Sequence, residues 1–132
     1  MIKAFFKHIS LLSGFGIIIF LIHYLLSKAL TILHSEQLMF DVHIFMFLLT
    51  AGGIIASLYL LKKRSQFVGF AFVGVSVLKM LLSTIFLYPI IKGELDNPKV
   101  YVVQFIIIYF VYLAYEVLYI INLLKSSNSL DE

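Results

Sequence analysis

The sequence predicts an all-α integral membrane protein, a four-helix bundle with up-down-up-down topology and both termini in the cytoplasm. Three observations predict this fold: the composition, four long apolar runs, and the basic residues at the ends of those runs. Of the 132 residues, 62% are hydrophobic and 13% are charged, against about 25% charged residues in an average soluble domain. A chain of this size has too much surface for its volume to hide that apolar content from water. The composition therefore excludes an ordinary soluble enzyme, a disordered chain and a nucleic-acid-binding protein.

Four apolar runs have the length that a membrane-spanning helix needs. A hydrocarbon core about 30 Å thick requires about 20 apolar helical residues. The strands of a membrane barrel would alternate with a period of two, and the sequence does not show that alternation. The runs predict helices over about residues 9–27, 40–61, 67–91 and 100–124. They predict one domain over residues 1–125, followed by a short polar tail over 126–132.

Each predicted helix carries few polar residues. The first contains one histidine, His23, and the second is apolar over most of its length. The third contains one charge, Lys79, and the fourth contains Gln104, Glu116 and Asn122. The first run could also be a signal peptide, but its apolar part is longer than the usual 7–15 residues. We therefore expect it to be a spanning helix.

The topology follows from the links and their charges. Residues 62–66 and 92–99 are short polar links, and residues 28–39 form the longest one. Short links make neighbouring helices antiparallel. Six Lys and Arg residues lie on the side of the termini and three lie on the other side. Because cytoplasmic loops carry the excess of basic residues, both termini are predicted to be cytoplasmic.

Lys79 and Glu116 are predicted to form an ion pair between the third and fourth helices. Lys79 lies about 20 Å along its helix from the link at Gln66, and Glu116 lies about 14 Å from Lys125 on the same side. The long lysine side chain can span that difference of about one turn. An ionised Lys at the centre of a membrane helix costs about 2.5–3.5 kcal/mol, so it needs a partner or a wet cavity. The pair could specify how two helices dock, relay protons or ions, or contact a partner subunit.

Polar and small residues recur at spacings of three, four or seven positions, so they share one side of each helix. We expect them to face the interior of the bundle and to leave Phe, Leu and Ile toward lipid. They could serve helix packing, in which hydroxyls hydrogen-bond across helices, or line a pathway. The predicted interior residues are His23, Gly69, Ser76, Ser83, Tyr109, Tyr112 and Tyr119.

The second helix contains two small-xxx-small pairs. Gly52 pairs with Ala56, and Gly53 pairs with Ser57. Small residues at this spacing let two helix backbones approach closely. The pairs could serve the bundle itself or the helix of a partner, and the sequence does not distinguish the two.

Motifs for catalysis or cofactor binding are absent from the sequence, so we expect a protein that is not an enzyme and has no cofactor. The chain has no Cys. Four potential metal ligands, His34, Glu36, Asp41 and His43, lie within ten residues. Imidazole and carboxylate groups suit a divalent ion. Their spacing matches no established motif, so no metal site is predicted.

The second and third helices resemble the ATP synthase protein I family of small bacterial membrane proteins. The resemblance rests on Gly52 and Gly53, on the basic link over residues 62–64, and on the small-residue-rich stretch 74–86 with Lys79 inside it. The family has an acidic residue close before its Lys, where this chain has Val75 and Ser76. It has Pro-Asn after the double glycine, where this chain has residues 54–57 as Ile-Ile-Ala-Ser. Glu116 is the candidate for the missing acidic group.

The resemblance implies a non-enzymatic accessory of the ATP synthase in the bacterial inner membrane. It would assist the rotor ring or the stator, with Lys79 and the double glycine as contacts for a partner's helices. The family has also been linked to divalent-cation transport. A transporter of ions or small solutes, using Lys79 and Glu116, is therefore the alternative, and with four short helices it would need to form a homo-oligomer. The lipid bilayer is a predicted partner in either case, and nucleic acid is not.

Overall fold

The computed structural model describes residues 2–30, 36–93 and 98–131, and these residues form four long helices. A short 3₁₀ turn, Ser65–Phe67, leads into the third of them. The described residues contain no β-strand, so the all-α prediction is confirmed. In chain order the helices are α1 (Ile2–Ala29), α2 (Glu36–Lys63), α3 (Val68–Lys92) and α4 (Pro98–Asp131).

Each of the four helices contains a segment that is long enough and apolar enough to cross a membrane. These segments are 25, 25, 25 and 29 residues long. At 1.5 Å per residue, each exceeds the thickness of a hydrocarbon core of about 30 Å. The chain therefore carries four candidate membrane spans. They are Phe5–Ala29, Met39–Lys63, Val68–Lys92 and Pro98–Ser126.

The helices extend beyond the predicted apolar runs, most at the two ends of the chain. The first helix begins at Ile2 rather than near residue 9, and the last continues to Asp131 through most of the predicted tail. Neither extension contains Pro or a helix-interrupting Gly, so the backbone hydrogen bonds can continue past the apolar residues. In α3, the helix continues past Pro89 to Lys92, because a proline so near the end costs few hydrogen bonds.

The chain divides into two compact units, Met1–Ala51 and Gly52–Glu132, with the boundary inside α2. In the first unit, Phe20 of α1 makes edge-to-face contacts with Phe40 and His43 of α2. Leu12 is the apolar side chain of α1 that is completely buried. This unit therefore joins its two helices through aromatic side chains.

In the second unit, α3 and α4 run antiparallel and are in contact. Lys79 pairs with Glu116, and the ring of Phe86 stacks on that of Phe105 with a centroid distance of 5.9 Å. Phe86 follows Lys79 in α3, whereas its partner Phe105 precedes Glu116 in α4, so the two helices run in opposite directions. The buried face of α4 follows the spacing of three and four residues that marks one side of a helix. It consists of Tyr101, Phe105, Ile108, Tyr112, Glu116 and Ile120.

Candidate functional site

A buried ion pair joins α3 to α4. The ammonium group of Lys79 donates a hydrogen bond to Oε2 of Glu116, and the two residues are only 4% and 1% exposed. The sequence places these two charges at similar depths in their helices, and the structure brings them into contact. Away from water, opposite charges attract strongly, and each would be costly without the other. The pair therefore makes the contact between α3 and α4 specific for these two positions.

The second helix completes the surroundings of this pair through Gly53. A β-carbon at Gly53 would overlap Oε1 of Glu116, and it would lie 3.1 Å from Cδ of Glu116 and 3.3 Å from Nζ of Lys79. Only a residue without a side chain fits beside the carboxylate in this arrangement. One turn later, the hydroxyl of Ser57 donates to the carbonyl of Gly53 at 2.9 Å. Three helices therefore meet at the ion pair.

Hydroxyl groups lie on the faces that carry the two charges. On α3, Ser76 and Ser83 are three residues before and four residues after Lys79, so they share its side of the helix. Ser83 is buried and Ser76 is half-buried. Their oxygen atoms are buried, and the part of the chain that the structure describes places no hydrogen-bond partner on either. The polar character of the contact therefore extends in both directions from the pair.

On α4, the predicted tyrosines occupy the same side as Glu116 but differ in burial. Tyr112 is 2% exposed, whereas Tyr109 and Tyr119 are half-buried. The hydroxyl oxygen of Tyr109 is buried, with no hydrogen-bond partner among the described residues. Tyr119 stacks on Tyr115 with a centroid distance of 5.7 Å. The predicted polar interior of the fourth helix thus centres on Tyr112 and Glu116.

A second polar contact, not expected from the sequence, joins α1 to α2 in the first unit. Nδ1 of His23 lies 3.0 Å from Nε2 of His43, and the ring of Phe20 packs against His43. A hydrogen bond between two ring nitrogens requires one N–H and one lone pair. At least one of the imidazoles is therefore neutral in this arrangement. The position of each histidine near the end of its apolar run was the only sequence signal for the contact.

Of the four potential metal ligands in the sequence, the structure describes the side chains of two, Asp41 and His43. The described residues contain no cluster of three or more His, Asp or Glu side chains that could hold a metal ion. His34 and the side chain of Glu36 lie outside the described residues. Asp41 is half-buried, and His43 faces His23.

Two of the glycines predicted to pack do not contact another part of the described chain. Gly52 and Gly69 are exposed, and no described atom outside their own stretch of helix lies within 4 Å of a β-carbon built on them. The expectation that Gly69 faces the interior is thus corrected: Gly69 shares its side of α3 with Ser76 and Ser83, but it lies in the first turn of the helix, where no other described part of the chain covers it. Of the two small-xxx-small pairs in α2, the pair of Gly53 and Ser57 lies at the contact with the Lys79–Glu116 ion pair. In the other pair, Gly52 is exposed and Ala56 is half-buried.

Basic side chains cover aromatic rings near the ends of the first two candidate spans. The ammonium group of Lys28 lies 4.6 Å from the ring centroid of Tyr24, and that of Lys63 lies 4.9 Å from the ring of Tyr59. At these distances, a cation is attracted to the negative face of the ring. Such pairs of an amphipathic ring and a long basic side chain are typical of helix ends at a membrane–water interface.

No protein family, curated protein or solved structure matches this chain. The resemblance to the ATP synthase protein I family therefore rests on the residues quoted for it.

Proposed function

We propose that this protein is a multi-pass protein of the bacterial inner membrane, a four-helix bundle with both termini cytoplasmic. We further propose that it acts without catalysis, as an accessory or assembly factor that docks on the helices of a membrane complex. The resemblance to the ATP synthase protein I family indicates ATP synthase as that complex, with its rotor or stator subunits as the partners. The four apolar helices support the membrane location, and the excess of basic residues near the termini supports the orientation.

The observation that carries the docking function is the set of open glycines. A β-carbon built on any of these glycines would have no described atom within 4 Å outside its own stretch of helix, whereas one on Gly53 would meet both Glu116 and Lys79. Glycine costs about 1 kcal/mol relative to alanine in a helix, and a lipid-facing position offers no compensation. Close approach of a partner's helix does compensate for this cost of glycine, because small residues let helix backbones pack tightly in a membrane. The open glycines are Gly14, Gly52, Gly69 and Gly74.

The charged residues support the same function. Lys79 and Glu116 pair within the chain, so neither presents an uncompensated charge to a partner. Large exposed apolar residues lie beside the open glycines of α3, among them Phe70 at 77% and Val73 at 61%. A partner would therefore recognise shape and close packing rather than charge.

Photo-crosslinking in native membranes tests this proposal. A photoreactive phenylalanine analogue at Phe70, beside Gly69, is compared with the same analogue at Phe110, an exposed apolar position of α4. We expect Phe70 to capture a defined membrane-protein subunit and Phe110 to capture lipid. Gly74→Leu should abolish the capture without changing the stability of the isolated chain. Failure of Phe70 to capture any membrane protein, or equal capture at both positions, would contradict the proposal.

A second function, transport of ions or small solutes, is favoured by one specific observation. The Lys79–Glu116 pair lies between hydroxyls whose hydrogen bonds the described chain does not fill, namely those of Ser76, Ser83 and Tyr109. Intramembrane charges next to polar groups are typical of ion and proton pathways. Flux into liposomes that contain the pure protein distinguishes this function from docking. Flux that is absent, or that is unchanged in Lys79→Met and Glu116→Gln, would exclude it.

A further inference from the structure

The orphaned hydroxyls beside the ion pair require an explanation. The oxygens of Ser76, Ser83 and Tyr109 are buried, and the described chain offers no hydrogen-bond partner to any of them. The Ser83 residue as a whole is only 7% exposed. A buried hydroxyl without a partner costs free energy, so such groups in native proteins are usually bonded to the protein or to bound water.

These hydroxyls lie along one contact rather than at scattered places. Ser76 and Ser83 flank Lys79 on the same face of α3, about 10 Å apart along the helix axis. Tyr109 lies two turns before Glu116 on α4, and α4 runs antiparallel to α3. Tyr109 is therefore displaced from the pair toward the same end as Ser83. The unfilled hydroxyls thus lie on both sides of the ion pair, along the α3–α4 contact.

The chemistry of the contact defines the ligand that it can take. The positive charge of Lys79 and the negative charge of Glu116 cancel, so the contact favours neither a cation nor an anion. A hydroxyl both donates and accepts hydrogen bonds, so its ligand must also do both. The ligand must also be small, because the hydroxyl oxygens of Ser76, Ser83 and Tyr109 are all buried.

We propose that the α3–α4 contact binds a file of water molecules. The waters bond to the hydroxyls of Ser76, Ser83 and Tyr109 and reach the Lys79–Glu116 pair from both sides. Each water would have several polar partners, as buried waters in proteins usually do. Hydration of this kind also lowers the cost of holding two charges inside a membrane helix pair. The proposal goes beyond the docking function and requires neither a partner nor transport.

Hydroxyl-radical footprinting of the full chain in lipid nanodiscs tests the proposal. X-ray pulses generate radicals from water, including bound water, and the radicals modify neighbouring side chains. The probe is Tyr109, and the control is its neighbour Phe110, which is 60% exposed at an apolar position. Each rate is divided by the rate of the same residue in the unfolded chain. We expect Tyr109 to be modified at least threefold faster than Phe110. An equal or slower rate at Tyr109 would overturn the proposal.

Removal of one hydroxyl provides a second, independent measurement. Ser83→Ala should lower both the modification rate of Tyr109 and the melting temperature, because a bound water loses a partner. Thr84→Ala is the matched control, since its exposed hydroxyl donates to the carbonyl of Met80 in its own helix. The control should leave the Tyr109 rate unchanged. A higher melting temperature for Ser83→Ala with an unchanged Tyr109 rate would show a dry contact and overturn the proposal. Ser76→Ala repeats the measurement on the other side of Lys79.

Discussion

Gly53 of α2 lies directly against the carboxylate of Glu116 in α4, so close that one added carbon would overlap Oε1. This contact links the small-residue motif of one helix to the buried charge of another. A substitution at Gly53 therefore acts on the ion pair, although Gly53 has no charge or hydrogen-bonding side chain of its own. The neighbouring Gly52 has no such contact with the described chain, which makes it a matched control.

Gly53→Ala should destabilise the protein, because the methyl group displaces the Glu116 side chain from Lys79. Inserting a carbon into a tightly packed site usually costs about 1–3 kcal/mol. Gly52→Ala should instead leave the free energy of unfolding unchanged or raise it by up to about 1 kcal/mol, through helix propensity alone. Equilibrium unfolding in mixed micelles measures both variants. Equal effects of the two substitutions would show that Gly53 does not touch the pair.

Lys79 and Glu116 should stabilise the protein as a pair. Lys79→Met or Glu116→Gln alone leaves one buried group without its partner, at a cost of about 3–5 kcal/mol in soluble proteins. Water near the pair and snorkelling reduce that cost in a membrane. The double variant should be more stable than the sum of the single variants implies, with a coupling energy of about 0.5–3 kcal/mol. A double-mutant cycle of unfolding free energies measures the coupling, and strict additivity would contradict the contact.

The hydrogen bond between His23 and His43 should hold α1 against α2. His23→Phe keeps an aromatic ring but removes the nitrogen, so it should cost about 0.5–1.5 kcal/mol. His43→Phe should cost a similar amount or more, since His43 is more deeply buried. The double variant should cost less than the sum of the two single variants, because the second change removes a hydrogen bond already lost. Thermal unfolding of the four proteins measures this, and an additive result would show that the rings act independently.

The positive-inside orientation predicts that Gln66 faces the cytoplasm and Gly93 faces the opposite side. The native chain has no Cys, so a single introduced Cys is the only thiol in the protein. A membrane-impermeant thiol reagent applied to intact cells should label Gly93→Cys and leave Gln66→Cys unlabelled. Inverted membrane vesicles should give the reverse pattern. Labelling of Gln66→Cys in intact cells would contradict the orientation.

The Lys79–Glu116 contact could be predicted from the sequence because depth along a helix is a one-dimensional property. The rise per residue and the ends of the apolar runs place both charges at similar levels without knowledge of helix rotation. The high cost of an unpaired charge in an apolar environment then leaves few possible partners. The described residues place the two side chains together, as the depths predicted.

The helix bounds show the limit of that one-dimensional information. Hydropathy locates the part of a helix that could lie in lipid, but backbone hydrogen bonds continue for as long as no residue interrupts them. The first and last helices therefore extend beyond their apolar runs, to Ile2 and Asp131. The third helix, in contrast, begins at Val68, after the turn at Ser65–Phe67 and one residue later than the apolar run predicts.

The sequence by itself determined the four apolar helices and the level of each charge, because length, composition and rise per residue are local properties. Only the tertiary structure decided that Gly53 rather than Gly52 lies against Glu116, that Gly69 is exposed, and that His23 meets His43. The contacts of Gly53 and of the two histidines depend on the rotation of each helix about its axis, whereas Gly69 is exposed because it lies in the first turn of α3. In a soluble protein the apolar face reveals that rotation. Helices that are apolar on all sides lack this signal, so close packing and polar contacts between helices set the rotation instead.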